Sequence, residues 1–198
     1  MLKSVFFSGK LLLEILSASV IFFVDMMGCV DMAGSGEQNV DIESSLRDWF
    51  SGAERVVVAG IGNPFRRDDF VGVEIVRNLQ NKVSKSVYLI EAETVPESFM
   101  QQIIAFKPTH ILLVDAGIIN REPGTSQLAD TTQLIRKTSI STHTLPLRIF
   151  CDYLTETTAA KIALLIIQPQ DTSFGEGLTP KLKQTAKNLT NLLQKHLP

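Results

Sequence analysis

Residues 55–76 read RVVVAGIGNPFRRDDFVGVEIV, and this stretch decides the fold. Its first seven residues form a run dominated by β-branched side chains, the pattern of a strand covered on both faces. The turn 62–68 follows. From there apolar residues recur at Phe70, Val71, Ile75, Val76 and Leu79, a helical stripe. A strand that passes through a glycine-bearing turn into a helix is the opening unit of an α/β layer.

Working outward, the same alternation continues. Residues 41–53 form a short amphipathic helix with Ile42, Leu46 and Phe50 at four-residue spacing. Residues 87–91 are a second strand, 97–106 a helix after Pro96, and 110–115 (HILLVD) a third strand. Residues 125–128 suit a short edge strand after the turn at Glu122. Residues 145–154 are helical with Pro146 in the first turn, 161–168 are another buried strand, and 180–197 a closing helix. The expected architecture is a three-layer αβα fold, with a mainly parallel twisted sheet of about five strands flanked by helices on both faces. In such sheets ligands gather beyond the carboxyl ends of the strands.

The chain has 198 residues, a formal net charge of −2, 44% hydrophobic and 20% charged positions, which suits one domain plus an appendage and excludes disorder. The absence of a basic excess argues against a nucleic-acid binder. Two cysteines, Cys29 and Cys151, allow no CxxC pair or disulfide framework, which fits a reducing, cytoplasmic setting and excludes a zinc ribbon.

Residues 39–198 carry the domain, and residues 1–38 are a hydrophobic extension and linker. Lys3 and Lys10 precede the apolar run 11–24, which Glu14 interrupts. Three readings stay open: a start at Met26, Met27 or Met32 with a dispensable upstream stretch, a signal or membrane segment, and an extra packed helix. Membrane association is expected only under the second. A monomer is expected, since no second long apolar stripe asks for a partner.

The turn after the first strand invites a dinucleotide fingerprint but lacks the third glycine, where Phe65 stands. No P-loop is present. Asp68 and Asp69 have a structural reading as helix cap and solvated first-turn acid. Asp115 ends a strand ahead of Ala116 and Gly117, so either it caps a turn or it is held open for chemistry. His143 precedes a helix. His110, beside Pro108, reads as an edge residue, and His196 as a cation at a helix end. Asp69, Asp115 and His143 fall in loops that a parallel sheet gathers at one edge. Two carboxylates and an imidazole can hold a divalent metal or serve as acid–base machinery, and spacing does not choose between them. Cys151 reads as core, Arg66 and Arg67 as a solvated loop pair, and residues 174–178 (FGEGL) as a turn that could line a substrate groove.

Residues 60–76, 110–117 (HILLVDAG), 141–147 (STHTLPL), 166–169 (IIQP) and 177–180 (GLTP), taken in order, resemble the hydrogenase maturation endopeptidase family. ETVPE at 93–97 departs from it, where the family is richer in glycine. The resemblance implies cleavage of a C-terminal extension from the large-subunit precursor of nickel–iron hydrogenase after nickel insertion. It carries the nickel-contacting side chains onto Asp69, Asp115 and His143, with Asp69 and Asp115 as catalytic residues. Nickel would be presented by the substrate, and other divalent metals could occupy the same ligands. Asp68 and Asn63 match motif positions assigned to loop structure, and Gly62 and Asn63 are the turn residues placed to touch substrate. No HExxH, GxSxG or DTG-type signature supports another protease chemistry. The competing readings are a metal-dependent chaperone that binds the precursor without cutting it and, below that, a nucleotide-dependent enzyme.

Overall fold

The protein is described by a computed structural model over residues 41–130 and 144–198. The 1–38 extension and His143 lie outside the described residues. The Asp41 carboxylate caps the first helix, α1 (Ile42–Trp49), accepting the Glu43 amide at 3.3 Å. Strand β1 (Val56–Ile61) leads through a 3-10 turn (Arg67–Phe70) into α2 (Val71–Leu79). Strand β2 (Val87–Glu93) leads through a second 3-10 turn (Pro96–Phe99) into α3 (Met100–Phe106). Then come β3 (His110–Ala116), β4 (Ser126–Asp130), α4 (Thr144–Thr158), β5 (Lys161–Ile167) and α5 (Pro180–His196).

The sheet order is β2-β1-β3-β5-β4, with β4 alone antiparallel. The expected five-strand, mainly parallel layer is present. Alternation along the strands divides the core between two faces. Val56, Val58, Leu112, Val114 and Leu165 pack with α1, α2 and α5, whereas Val57, Ile111, Leu113, Leu164 and Ile166 pack with α3 and α4. Each fully buried aliphatic side chain of this kind contributes about 1.5–3 kcal/mol. Among the described residues no helix is long and apolar enough to cross a membrane.

Several boundaries differ from the sequence pattern. The first helix ends at Trp49 rather than residue 53, and the segment after Pro96 opens as a 3-10 turn. Two others carry local features that show where the chain departs. Helix α4 runs past Leu154 to Thr158, and in this last stretch the hydroxyls of Thr155, Thr157 and Thr158 donate back to the carbonyls of Cys151, Tyr153 and Leu154 at 2.8, 2.7 and 2.6 Å. Strand β2 runs to Glu93, where the ladder slips so that Ile61 faces Glu93, and Glu93 takes a φ of 49°.

The glycine that positions the site is Gly72, at the start of α2. A Cβ there would lie 2.1 Å from the Val114 carbonyl oxygen and 2.5 Å from that of Ile61. Without one, the helix start comes down directly onto the carboxyl ends of β1 and β3.

Candidate active site

The carboxyl rim of the sheet is built by the loops 62–70, 117–125 and 168–179. In the first, Gly62 adopts φ 145°, and a Cβ would lie 1.9 Å from the Asp69 carbonyl oxygen. The turn then closes on itself. The Asn63 side-chain oxygen accepts the Phe65 amide at 2.9 Å, and the Asn63 amide donates to Asp69 Oδ2 at 3.0 Å. Asp69 is only 6% exposed, so the solvated first-turn reading does not hold. Its carboxylate is folded back into the loop that bears it, because the chain reverses at Gly62.

Asp68 is fully buried and caps a different segment from its own. Its oxygens accept the amides of Gln170 (3.0 Å), Asp171 (3.0 Å) and Thr179 (2.7 Å) and the Thr179 hydroxyl (3.0 Å). Arg66 stays exposed and Arg67 partly so, as a solvated pair would, yet both reach across to the second loop. Arg66 Nε donates to the Thr172 carbonyl at 3.1 Å, and Arg67 Nε lies 3.3 Å from Asp171 Oδ2. The Ser173 hydroxyl and amide hold the Asp171 carboxyl below its ordinary value against the opposing effect of burial, with Arg67 adding the smallest pull. The two loops thus form one unit.

Asp115 is 1% exposed and sits at the end of β3 opposite Ile166. By alternation it shares the face of Ile111 and Leu113, on the side covered by α3 and α4. The approach of Gly72 to the Val114 carbonyl sets the segment that follows Asp69 against the strand end that carries Asp115. Two buried carboxylates therefore lie on abutting segments at this rim. A buried carboxylate needs a partner, and one at the carboxyl rim of a sheet can take up a proton or a cation.

His143 lies outside the described residues. The helix after it runs from Thr144 to Thr158 and leads into β5, which begins at Lys161. His110 opens β3 at the other end of the sheet and is buried rather than left at an edge. His196, in the last turn of α5, has Nε2 3.5 Å from Glu43 Oε1. Among the described residues no three His, Cys, Asp or Glu side chains are grouped to hold a metal.

Sequence reasoning gave no role to Gln168 and no partner to Phe65, whereas it placed Phe174 in a turn that could line a substrate groove. Gln168 is buried, with Oε1 accepting the Ile119 amide at 2.9 Å and Nε2 donating to the Pro169 carbonyl at 3.2 Å, so it ties loop 117–125 to loop 168–179. Phe65 and Phe174 are 55% and 84% exposed, yet their rings stack with centroids 6.4 Å apart. Beside them opens a groove of about 350 Å³ lined by Phe65, Phe70, Arg77, Glu176, Leu178 and Lys183, among others. Its lining mixes aromatic and aliphatic side chains with acidic and basic ones. The FGEGL turn thus forms part of a groove wall. Cys151 is core as expected, its thiol pushed up to about 12 by burial and then by Asp152, which leaves it unfit as a nucleophile.

The hydrogenase maturation protease family model matches residues 73–196. A protein of Methanocaldococcus jannaschii named as a candidate hydrogenase maturation protease is 33% identical over 160 residues, 77% of this chain and 94% of its own. The hydrogenase 3 maturation protease of Escherichia coli is 25% identical over 138 residues, 70% of this chain and 88% of its own. A crystal structure of a nickel–iron hydrogenase maturation protease, HycI from Thermococcus kodakarensis, matches with TM-score 0.72 and 36% identity, over 77% of this chain and 98% of that one.

Proposed function

This chain belongs to the hydrogenase maturation protease family and is a hydrolase, and from that premise we propose that it removes the C-terminal extension of a nickel-loaded large-subunit precursor of nickel–iron hydrogenase. The observation that carries the reading is the pair of buried carboxylates, Asp69 and Asp115, on abutting segments of the rim. Nickel arrives with the substrate. Asp69, Asp115 and His143 offer two hard oxygen donors and one imidazole, a set that suits a borderline divalent ion already held by softer ligands. A precursor without nickel then lacks the contact that docks its tail at the carboxylates.

Asp69 and Asp115 are also the groups available to take a proton from an attacking water. The Asn63 amide already donates to Asp69 Oδ2, which leaves the other oxygen for a proton or a cation. Gly62 and Asn63 stand at the edge where the peptide passes. Asn63 has spent its side-chain oxygen on the turn, so its Nδ2 is the donor it presents to substrate. The groove beside Phe65 and Leu178 would seat the flanking residues of the tail. The compartment proposed is the cytoplasm, supported by Cys151, a free and buried thiol.

Incubation with nickel-loaded and nickel-free precursor, followed by mass spectrometry of the precursor's C-terminus, tests this. Cleavage of the loaded form alone is expected. Equal cleavage of both forms, cleavage of neither, or retention of the precursor without any product would overturn it.

A further inference from the structure

Loop 168–179 is bound to loop 62–70 by main-chain bonds, by Arg66 and Arg67, and by one buried side chain that alone takes four donors, Asp68. The donors to Asp68 stand 102 to 111 positions further along the chain, and the carboxylate that gathers them has no exposed surface. The main chain adds to the hold. The Arg67 amide donates to the Gly175 carbonyl at 2.9 Å, the Gly175 amide to the Phe65 carbonyl at 2.9 Å, and the Asp68 amide to the Asp171 carbonyl at 3.1 Å.

Closing a loop takes one or two such bonds, whereas a buried carboxylate with four donors is fixed in position and in both planes of its oxygens. The next residue is Asp69. It lies in the same 3-10 turn, its amide bonded to the Arg66 carbonyl at 2.9 Å and its carboxylate to the Asn63 amide at 3.0 Å. Where Asp68 is held, the backbone of Asp69 has little freedom left, and Gly177 and Leu178 of the groove wall belong to the loop that holds it.

We infer that Asp68 is a positioning residue. By clasping loop 168–179 it holds the Asp69 carboxylate in its productive orientation and keeps the groove wall in register with it. The inference rests on the reading of Asp69 as the group that meets substrate. Asp68 itself is shut away from any ligand and acts only through its neighbour.

The test is Asp68→Asn in the full chain. The amide keeps one oxygen for the donors and turns a donor toward another, so the clasp loosens without an enlarged cavity. Hydrogen exchange at the Asn63 amide reports whether Asp69 still accepts from it. An acceleration of about tenfold is expected there, with the amides of β3 unchanged. At a temperature where thermal unfolding shows the variant folded, kcat on the nickel-loaded precursor is expected to fall about a hundredfold. Asp68→Ala should follow the same order with larger effects, and if it does not fold the Asn variant decides.

An unchanged Asn63 amide, an equal acceleration at Asn63 and in β3, or a loosened Asn63 with full cleavage would each overturn the inference. If the unsubstituted protein cleaves no precursor, the proposed function fails. The exchange pattern then still decides whether Asp68 holds Asp69.

Discussion

Strand β3 buries a polar side chain at each end, and the two ends are built differently. His110, at the amino end, is 3% exposed. The Trp49 ring packs edge-on against it with centroids 5.0 Å apart, and its Nδ1 lies 3.1 Å from the Thr109 hydroxyl. Asp115, at the carboxyl end, is 1% exposed, at the rim where the segment following Asp68 and Asp69 abuts its strand. One end is sealed by an aromatic lid. The other gathers acids that packing alone does not call for. Burial by itself therefore does not mark a site: several buried acids gathered at one rim of the sheet do.

The sharpest way to break this contrast is Asp69→Asn. It should lower precursor cleavage by about a hundredfold or more, measured as kcat, with little change in thermal unfolding. A similar loss from His110→Asn would erase the distinction between the two ends.

Gly72→Ala comes next. Its new Cβ meets the Val114 carbonyl, so the start of α2 must lift from the rim. A loss of about 3 kcal/mol in urea unfolding is expected, accompanied by reduced activity. The corresponding change at exposed Gly52, where nothing approaches within 4 Å, isolates the cost of its positive φ from that of contact.

Phe174→Ser tests the groove. The side chain is mostly exposed, so stability should hold while KM for the precursor rises by about fivefold to tenfold. An unchanged KM would remove the aromatic pair from the substrate path.

The sealed end has its own signature in pH. Burial, and then the charge of Lys161, lower the His110 imidazole below its ordinary value, against a weaker opposing contact with the Trp49 backbone. The unfolded chain then takes up a proton that the folded one refuses. Stability should fall as pH drops below about 6.5, the ordinary imidazole value, and level off once the folded form also protonates. Urea midpoints near pH 7.5 and 5.5 should differ, and His110→Leu should flatten the difference. The smallest effect concerns Cys151: peptide mapping after alkylation at pH 8 should find it unmodified in the native protein and modified after unfolding.

The strands and most helices were legible because their periodicity is local. Residues 55–61 and 161–168 are apolar on both faces, and residues 70–79 carry a single stripe. The acids of the rim were legible as residues but not in their state. Asp69 stands where a solvated first-turn acid would stand, and only the reversal at Gly62 folds its carboxylate inward. Asp68 has the sequence context of a helix cap, yet its four donors come from residues 170–179. Arg66 and Arg67 are solvated as their context suggests, but their partners Thr172 and Asp171 are remote in sequence and left no mark. His110 carries no mark of the Trp49 ring that covers it.

By itself the sequence settled which segments alternate, where the chain turns, and which acids end up at the carboxyl edge, because these follow from side-chain spacing along a parallel α/β layer. Only the tertiary structure decided that Asp68 clasps, that Asp69 is shielded, and that Phe65 meets Phe174. The state of a polar side chain depends on which distant backbone reaches it, and no spacing along the chain encodes that encounter.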